Sequence, residues 1–299
     1  MALDLAEIVR YLSWFMLAGS MFVAGLYLKP RQLVAAFKEY KLIFRAILAN
    51  AVIIPVLGLA LYLVTPMPPS EATGFLLIVF SFGLPLAVNF AKSVRANVPL
   101  VTVTVFALAI VSSITMPLLL ELALPESFSI GRSFLYVILF IILFQLIPLI
   151  LGLALGESQF VRKTLLRPLA LVTAVSGAVL IGLSVIVGFA AISIVGILPP
   201  VAMLILTISA LGIGWVLGGP VLINRKVLAI NSGLRNFPVG ILLATSIFSD
   251  NRIAVSDAVF ASIMIVTVLV FTRLISRYKR EKVFESSLKS ADKQPDISH

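Results

Sequence analysis

The 299-residue chain contains no cysteine and a single histidine, His299, at its last position. The absence of cysteine excludes disulfides, thiolate metal sites and thiol nucleophiles. Metallohydrolases and serine-histidine enzymes need a histidine held in a buried site, which this sequence does not offer. Serine and threonine occur in the apolar segments, but no acid, histidine or cysteine is expected beside them to activate them. We therefore expect the chain not to be an enzyme.

Charged residues are also scarce. They make up 12% of the chain, against about 25% in soluble domains, whereas apolar residues make up 61%. So few charges cannot cover a soluble surface around so many apolar residues, which indicates that a lipid bilayer hides them. The sequence thus predicts an all-α polytopic membrane protein.

Nine segments are long and apolar enough to cross a bilayer, which requires about 20 residues in a helix. We predict these spans at 5–28, 42–65, 73–91, 98–122, 133–155, 169–193, 201–222, 227–248 and 253–275. The first is predicted to be a retained span, because its apolar stretch is too long for a signal peptide. We predict that spans and connections together form one transmembrane domain over 1–280, followed by a polar cytoplasmic tail, 281–299, predicted to be disordered.

The basic residues indicate how the chain sits in the membrane. Of 23 lysines and arginines, nineteen fall in loops or at span ends on one side of a nine-span topology and three on the other, and only Arg235 falls deep inside a span. Cytoplasmic loops are enriched in Lys and Arg, so we predict an external N-terminus and a cytoplasmic C-terminus in a plasma (inner) membrane. Topology then explains the net charge of +10, with membrane lipid as a partner and no nucleic acid. We interpret Asp250, Arg252 and Asp257 as an exposed cluster on the outer side.

Two spans carry matching glycine and proline residues. Gly83 and Pro85 interrupt the third span, and Gly233 and Pro238 interrupt the eighth, about 150 residues later. The first four spans match the last four in order but in opposite orientation, which predicts a 4+5 inverted repeat. Proline removes a backbone donor, and freed backbone groups in lipid need protein or a water-lined cavity to satisfy them. We expect the two interrupted helices to cross near the membrane centre and to form the substrate site.

Three stretches carry a resemblance to a known family. They are MFVAGLYLKP at 21–30, the interrupted span and its successor at 74–120, and the segment 231–248. In order and spacing they resemble the bile acid:sodium symporter family. That resemblance implies a panel of helices (5–65 and 133–193) and a core (73–122 and 201–275) with two discontinuous crossing helices.

The resemblance implies secondary active transport of a small organic anion by alternating access, coupled to Na⁺, with no other cofactor. The ion-binding residues that it implies are Asn89, Asn231, Thr102, Thr104 and Ser112, all neutral. Asn231 stands where the family carries glutamate, and Arg235 where it carries glutamine. A cation beside arginine is disfavoured. A proton-coupled or uncoupled carrier of the same fold is therefore an alternative, and an intramembrane enzyme is a remote one.

Arg235 is the residue most in need of explanation, because a charge near the bilayer centre defaults to a functional hypothesis. Its guanidinium either caps carbonyls released at the crossing or clamps the anion of the substrate. Asn236 and Asn89, beside the two breaks, join the substrate-binding candidates, which also include Asn231. Asn50 and Gln145 are interpreted as interhelical hydrogen-bonding groups. Substrate identity, transport direction and a homo-oligomeric state stay open.

Overall fold

The computed structural model describes residues 5–28, 38–124, 134–248 and 250–291. Within these ranges the regular structure is helical, and one isolated antiparallel bridge joins two of the loops. The helices are α1 (Leu5–Tyr27), α2 (Tyr40–Val64), α3 (Pro69–Phe80), α4 (Ala87–Ser93), α5 (Val98–Ala123), α6 (Phe134–Leu155), α7 (Gln159–Thr164), α8 (Leu166–Val195), α9 (Leu198–Leu217), α10 (Leu222–Gly233), α11 (Phe237–Phe248) and α12 (Asn251–Ala291).

Length and composition single out the helices that can span a membrane. Within the described ranges, six helices qualify, namely α2, α5, α6, α8, α9 and the part of α12 up to Ser276. Helices α3 and α11 are apolar but shorter, and α1 has 23 residues. Every segment predicted to span coincides with helix, and the third and eighth each consist of two helices.

Proline and capping residues place several helix starts. Pro69, Pro99, Pro199 and Pro238 lie in the first turns of α3, α5, α9 and α11. Proline is tolerated there because the first turn has no use for its missing N–H. The backbone N–H of Leu100 donates to the side-chain oxygen of Asn97 over 3.2 Å, which caps α5.

Helices α2 and α6 share an irregularity. Each contains one π-helical turn, at Ala49–Ile53 and Ile142–Leu146, and each turn precedes a proline, Pro55 or Pro148. The proline ring crowds the carbonyl four residues earlier and cannot donate to it, which favours the wider turn. The polar residue of each span, Asn50 or Gln145, lies within the π turn.

The packing of α2 differs from the predicted panel. Helix α1 packs against the second half of α6 and against α8, both of the predicted panel, and also against α11 of the predicted core. Helix α2 instead packs on α3, α5, α9 and α10, which all belong to the predicted core. Its small and apolar residues Ala46, Ala49 and Ile54 are fully buried there.

The last helix is longer than its predicted span. Helix α12 runs through Ala291, whereas disorder was predicted from residue 281. Extending a helix that already exists needs no new nucleus, and the sequence at 281–291 contains several good helix formers. The remainder of the predicted tail, 292–299, lies outside the described residues.

Candidate functional site

The first break separates α3 from α4, as the sequence predicts. Helix α3 ends at Phe80 and α4 begins at Ala87. Between them Gly83 adopts φ +85°, a conformation that favours glycine. A Cβ atom on Gly83 would lie 2.6 Å from the backbone nitrogen of Ala109 on α5. The break is therefore pressed against α5 with no room for a side chain.

The second break separates α10 from α11 and is shorter. Helix α10 ends at Gly233 and α11 begins at Phe237, with Pro238 in its first turn. The N–H of Phe237 donates to the carbonyl of Arg235 over 2.9 Å, which forms a tight turn around Asn236. Both predicted interruptions are thus confirmed.

The two breaks pair with each other. Phe82 and Arg235 form an isolated antiparallel bridge, and the N–H of Asn236 donates to the carbonyl of Ser81 over 3.1 Å. The N–H of Phe82 donates to the hydroxyl of Ser112 on α5, 3.3 Å away. Backbone groups released by one interruption therefore find partners in the other and in α5, as a low-dielectric environment requires.

The side chain of Arg235 is enclosed at this crossing. It is 1% exposed, its Nη1 donates to Oδ1 of Asn50 over 3.1 Å, and its guanidinium lies 5.9 Å from the ring of Phe82. Its Nε and Nη2 have no hydrogen-bond partner among the described residues. Arg235 thus donates to the side-chain amide of Asn50 rather than to a backbone carbonyl released at the breaks. This geometry favours the hypothesis that Arg235 clamps a substrate anion over the hypothesis that it caps carbonyls.

Other unsatisfied polar atoms lie beside Arg235 in sequence. Both amide atoms of Asn231, which is 2% exposed, lack partners among the described residues. Asn236 is fully buried, and its Nδ2 donates to Oε1 of Gln145 over 3.2 Å while its Oδ1 lacks a recorded partner. Buried polar atoms are normally paired, so such a concentration at one crossing makes it the candidate ligand site.

Asn50 and Gln145 hold the second break from two other helices. Asn50 donates to the hydroxyl of Ser232 over 3.2 Å and accepts from Arg235. Gln145 donates to the carbonyl of Ala109 over 3.0 Å and accepts from Asn236. Their interpretation as interhelical hydrogen-bonding groups is confirmed. Their place at the site was missed, although the nearby prolines marked each as lying in an irregular turn.

A cavity of about 380 Å³ lies between α1, α4, α5 and α8 and reaches the first break. Among the predicted site residues, Pro85, Asn89 and Thr102 line it. Lys92, whose ammonium lies 5.4 Å from the ring of Tyr27, adds a positive charge to its wall. The predicted substrate residues of the second break, including Arg235, do not line this cavity.

The candidate ion-binding residues come from three helices, α4, α5 and α10. Asn89 and Thr102 line the cavity, whereas Asn231 lies in α10. The hydroxyls of Thr102 and Thr104 donate within α5, to the carbonyls of Val98 and Leu100.

Asp257 corrects one sequence-based interpretation. It is fully buried within a predicted span, so it does not belong to an exposed cluster on the outer side. Helix α12 begins at Asn251, which places Asp257 two turns inside it. Asp250 does lie near the helix start, where its carboxylate accepts from the hydroxyl of Ser70, and Arg252 is exposed.

Comparison with known proteins agrees with the family resemblance. The sequence model of the sodium bile acid symporter family matches residues 14–212, about two thirds of the chain. No curated protein matches the chain. The matched range includes the first break and ends before α10, so the second break and Arg235 lie beyond it.

Proposed function

The chain belongs to the sodium bile acid symporter family, a family of membrane transporters, and from this premise we propose that it carries a small organic anion by alternating access. The proposal rests on the burial of Arg235 and on the lack of hydrogen-bond partners for two of its nitrogens among the described residues. A buried guanidinium with two unpaired nitrogens at the crossing of two interrupted helices suits a carboxylate, whose two oxygens match its planar fork.

The membrane arrangement that we propose has nine spans, an external N-terminus and an inverted repeat, in a plasma membrane. Six long apolar helices, the 23-residue helix α1 and two interrupted spans, α3 with α4 and α10 with α11, support this count. Lys92 and Arg95 follow the first break, and Arg225 and Lys226 precede the second. These basic ends favour the cytoplasmic side for both.

We further propose that α1, α6 and α8 form the panel, while α2 joins the moving core. The packing of α2 on α3, α5, α9 and α10 supports this grouping. The 380 Å³ cavity then lies between panel and core on the cytoplasmic side, beside the first break. Rocking of the core against the panel would carry the crossing from this side to the other.

The family suggests Na⁺ as the driving ion, and proton-coupled and uncoupled transport remain the alternatives. Neutral oxygens such as those of Asn89 and Thr102 can ligate a hard cation. A Na⁺ site at the second break would have to coexist with the positive charge of Arg235, which opposes it.

Transport by purified protein in liposomes tests the proposal. Radiolabelled cholate and pyruvate serve as probes of a large and a small carboxylate, with and without an inward Na⁺ gradient. We expect saturable uptake or counterflow of one probe, faster than in protein-free liposomes and lost in the Arg235→Gln variant. Uptake that is equal with and without the gradient would remove sodium coupling. The absence of both uptake and counterflow for both carboxylates would contradict the proposal.

A further inference from the structure

Asp257 is a fully buried ionisable residue in the proposed core, where Arg235, Lys226 and Glu71 are also buried. The carboxyl group of Asp257 on α12 lies directly over Gly240 of α11, where an added Cβ would be 2.1 Å from its Oδ1. On α3, a Cβ added to Gly74 would lie 3.3 Å from the backbone nitrogen of Asp257. Two glycines thus let α11 pack against the carboxyl group of Asp257 and α3 pack against the backbone beside it, and Asp257 is 0% exposed.

Nothing in the described part of the chain neutralises this group. Neither carboxyl oxygen of Asp257 has a hydrogen-bond partner there. On the packed elements, α9 and α11 contain no ionisable residue and α3 contributes only the acid Glu71. Asp250 precedes α12, which carries Arg252 in its first turn and Arg273 far along the helix. Helix α8, which also packs on α12, has Arg167 as its only charged residue, near its start.

Arg235 is a buried base that contacts the helix on which Asp257 lies. Its backbone N–H donates to the sulfur of Met264, 3.0 Å away, on the same helix as Asp257. Seven residues along a helix separate Met264 from Asp257, which corresponds to about 10 Å. The two charges therefore belong to one packed body without forming an ion pair, since the guanidinium is directed to Asn50.

We propose that Asp257 is a proton-binding site that couples anion transport to proton movement. A carboxylate in an apolar interior without a partner is unstable unless a proton or a cation neutralises it. The close approach of Gly240 leaves little room for a metal ion at Oδ1. The proton is the occupant that fits.

Charge balance explains how the proton and the anion become coupled, a step that rests on the anion clamp proposed for Arg235. With Asp257 ionised and no substrate, the charges of Asp257 and Arg235 cancel. With Asp257 protonated, only a bound anion restores that balance. If the core rocks when these two charges are balanced, one proton accompanies each monovalent anion. No bond other than the O–H bond of the carboxyl group forms or breaks.

The outer side offers an entry for this proton. A cavity of about 230 Å³ lies between α8 and the α11–α12 pair. Its wall includes Ile241, next to Gly240, and Ala254 and Ala258, which flank Asp257 on α12. A small opening at this wall would connect the carboxyl group to the outer solution.

Infrared spectroscopy of the full-length protein in liposomes tests the site without any substrate. A protonated carboxyl group has a C=O stretching band distinct from that of a carboxylate. We expect wild type to show such a band that disappears reversibly as the pH is raised, and Asp257→Asn to lack it. Glu71→Gln and Asp250→Asn are the matched controls and should retain it. A band that is absent in wild type, or that persists in Asp257→Asn, would overturn the proposal, as would its loss on adding Na⁺ at constant pH.

Transport then tests the coupling, with the carboxylate probe that wild type carries. Asparagine imitates the protonated acid, so Asp257→Asn should lose accumulation driven by a proton gradient, down to the protein-free background. It should retain exchange of labelled for unlabelled probe. Accumulation equal to wild type in this variant would overturn the coupling role. If the infrared band behaves as expected but no variant exchanges either probe, the proposed function fails while the proton site stands.

Discussion

At the scale of single residues, Gly83 and Arg235 show that one crossing combines tight backbone packing with polar atoms that lack hydrogen-bond partners among the described residues. Gly83 brings the backbone of the first break against α5, and Arg235 lines the second break with a guanidinium that uses one of its three nitrogens. The paired backbone of the two breaks fixes where the guanidinium lies. A ligand can bind to the unpaired nitrogens of Arg235 without first displacing protein contacts.

Substituting Arg235 distinguishes the planar fork from its charge. Arg235→Lys keeps the charge and should weaken binding of the transported carboxylate while the protein still folds. Arg235→Gln should weaken binding further, because truncating a buried charged contact typically costs about 2–5 kcal/mol. Equilibrium binding of the labelled carboxylate measures both effects, with the exposed Arg252→Gln as control. Normal affinity in a well-folded Arg235→Gln variant would contradict the clamp.

Gly83→Ala should lower stability. A non-glycine residue at φ +85° is strained by about 1–2 kcal/mol, and its Cβ would also meet the backbone of α5 at 2.6 Å. Gly182→Ala on α8 is the matched control, since an added Cβ there meets nothing within 4 Å. Thermal unfolding in detergent should show a lower midpoint for the first variant and little change for the second. Equal midpoints would mean that the first break is not held against α5.

At the scale of helices, the two π turns explain why α2 and α6 reach the second break. A π turn widens the helix by one residue and is often found at functional sites. Here the turns carry Asn50 and Gln145, which contact the second break on two sides. Prolines that look incidental in sequence thus help to shape the site.

The bond between Gln145 and Asn236 can be measured by a double-mutant cycle. Removing either side chain breaks the 3.2 Å contact, so the double variant Gln145→Ala/Asn236→Ala should lose less stability than the sum of the single variants. Coupling of about 0.6 kcal/mol, and at most about 1.7, is typical between membrane helices. Gln145→Ala combined with Ser262→Ala, whose hydroxyl bonds α8, should be additive. Additive effects of Gln145→Ala and Asn236→Ala would contradict a hydrogen bond between these two side chains.

The sequence predicts features that depend on neighbouring residues better than contacts between residues that are far apart in the chain. The nine helical segments and both interruptions follow from hydropathy, glycine and proline, which act within one segment. The partners of Asn50 and Gln145 depend on helices between 36 and 185 residues away in sequence, which local patterns do not encode. Asp257 was misplaced because it lies near the polar residues Asp250 and Arg252, and sequence proximity does not show which helix face is buried.

At the scale of the whole molecule, two cavities lie along opposite parts of α8. The larger one adjoins the start of α8 and the first break, and the smaller one adjoins its later turns and α11. Ala174 lines the first and Val187 the second. Thirteen residues separate them, which is about 20 Å along the helix. In an alternating-access transporter these two positions face opposite solutions and exchange their access to water.

Because the natural chain has no cysteine, single cysteines can report this exchange without removing any native residue. A membrane-impermeant thiol reagent should modify Ala174→Cys from the cytoplasmic side and Val187→Cys from the outer side. Conditions that favour one orientation, such as the transported carboxylate on one side only, should raise the rate at one position and lower it at the other. Ile186→Cys is the control, because Ile186 is exposed, does not line the outer cavity and should face lipid, where the reagent does not react. Rates that rise and fall together, or modification of both positions from one side, would contradict rocking of the core against α8.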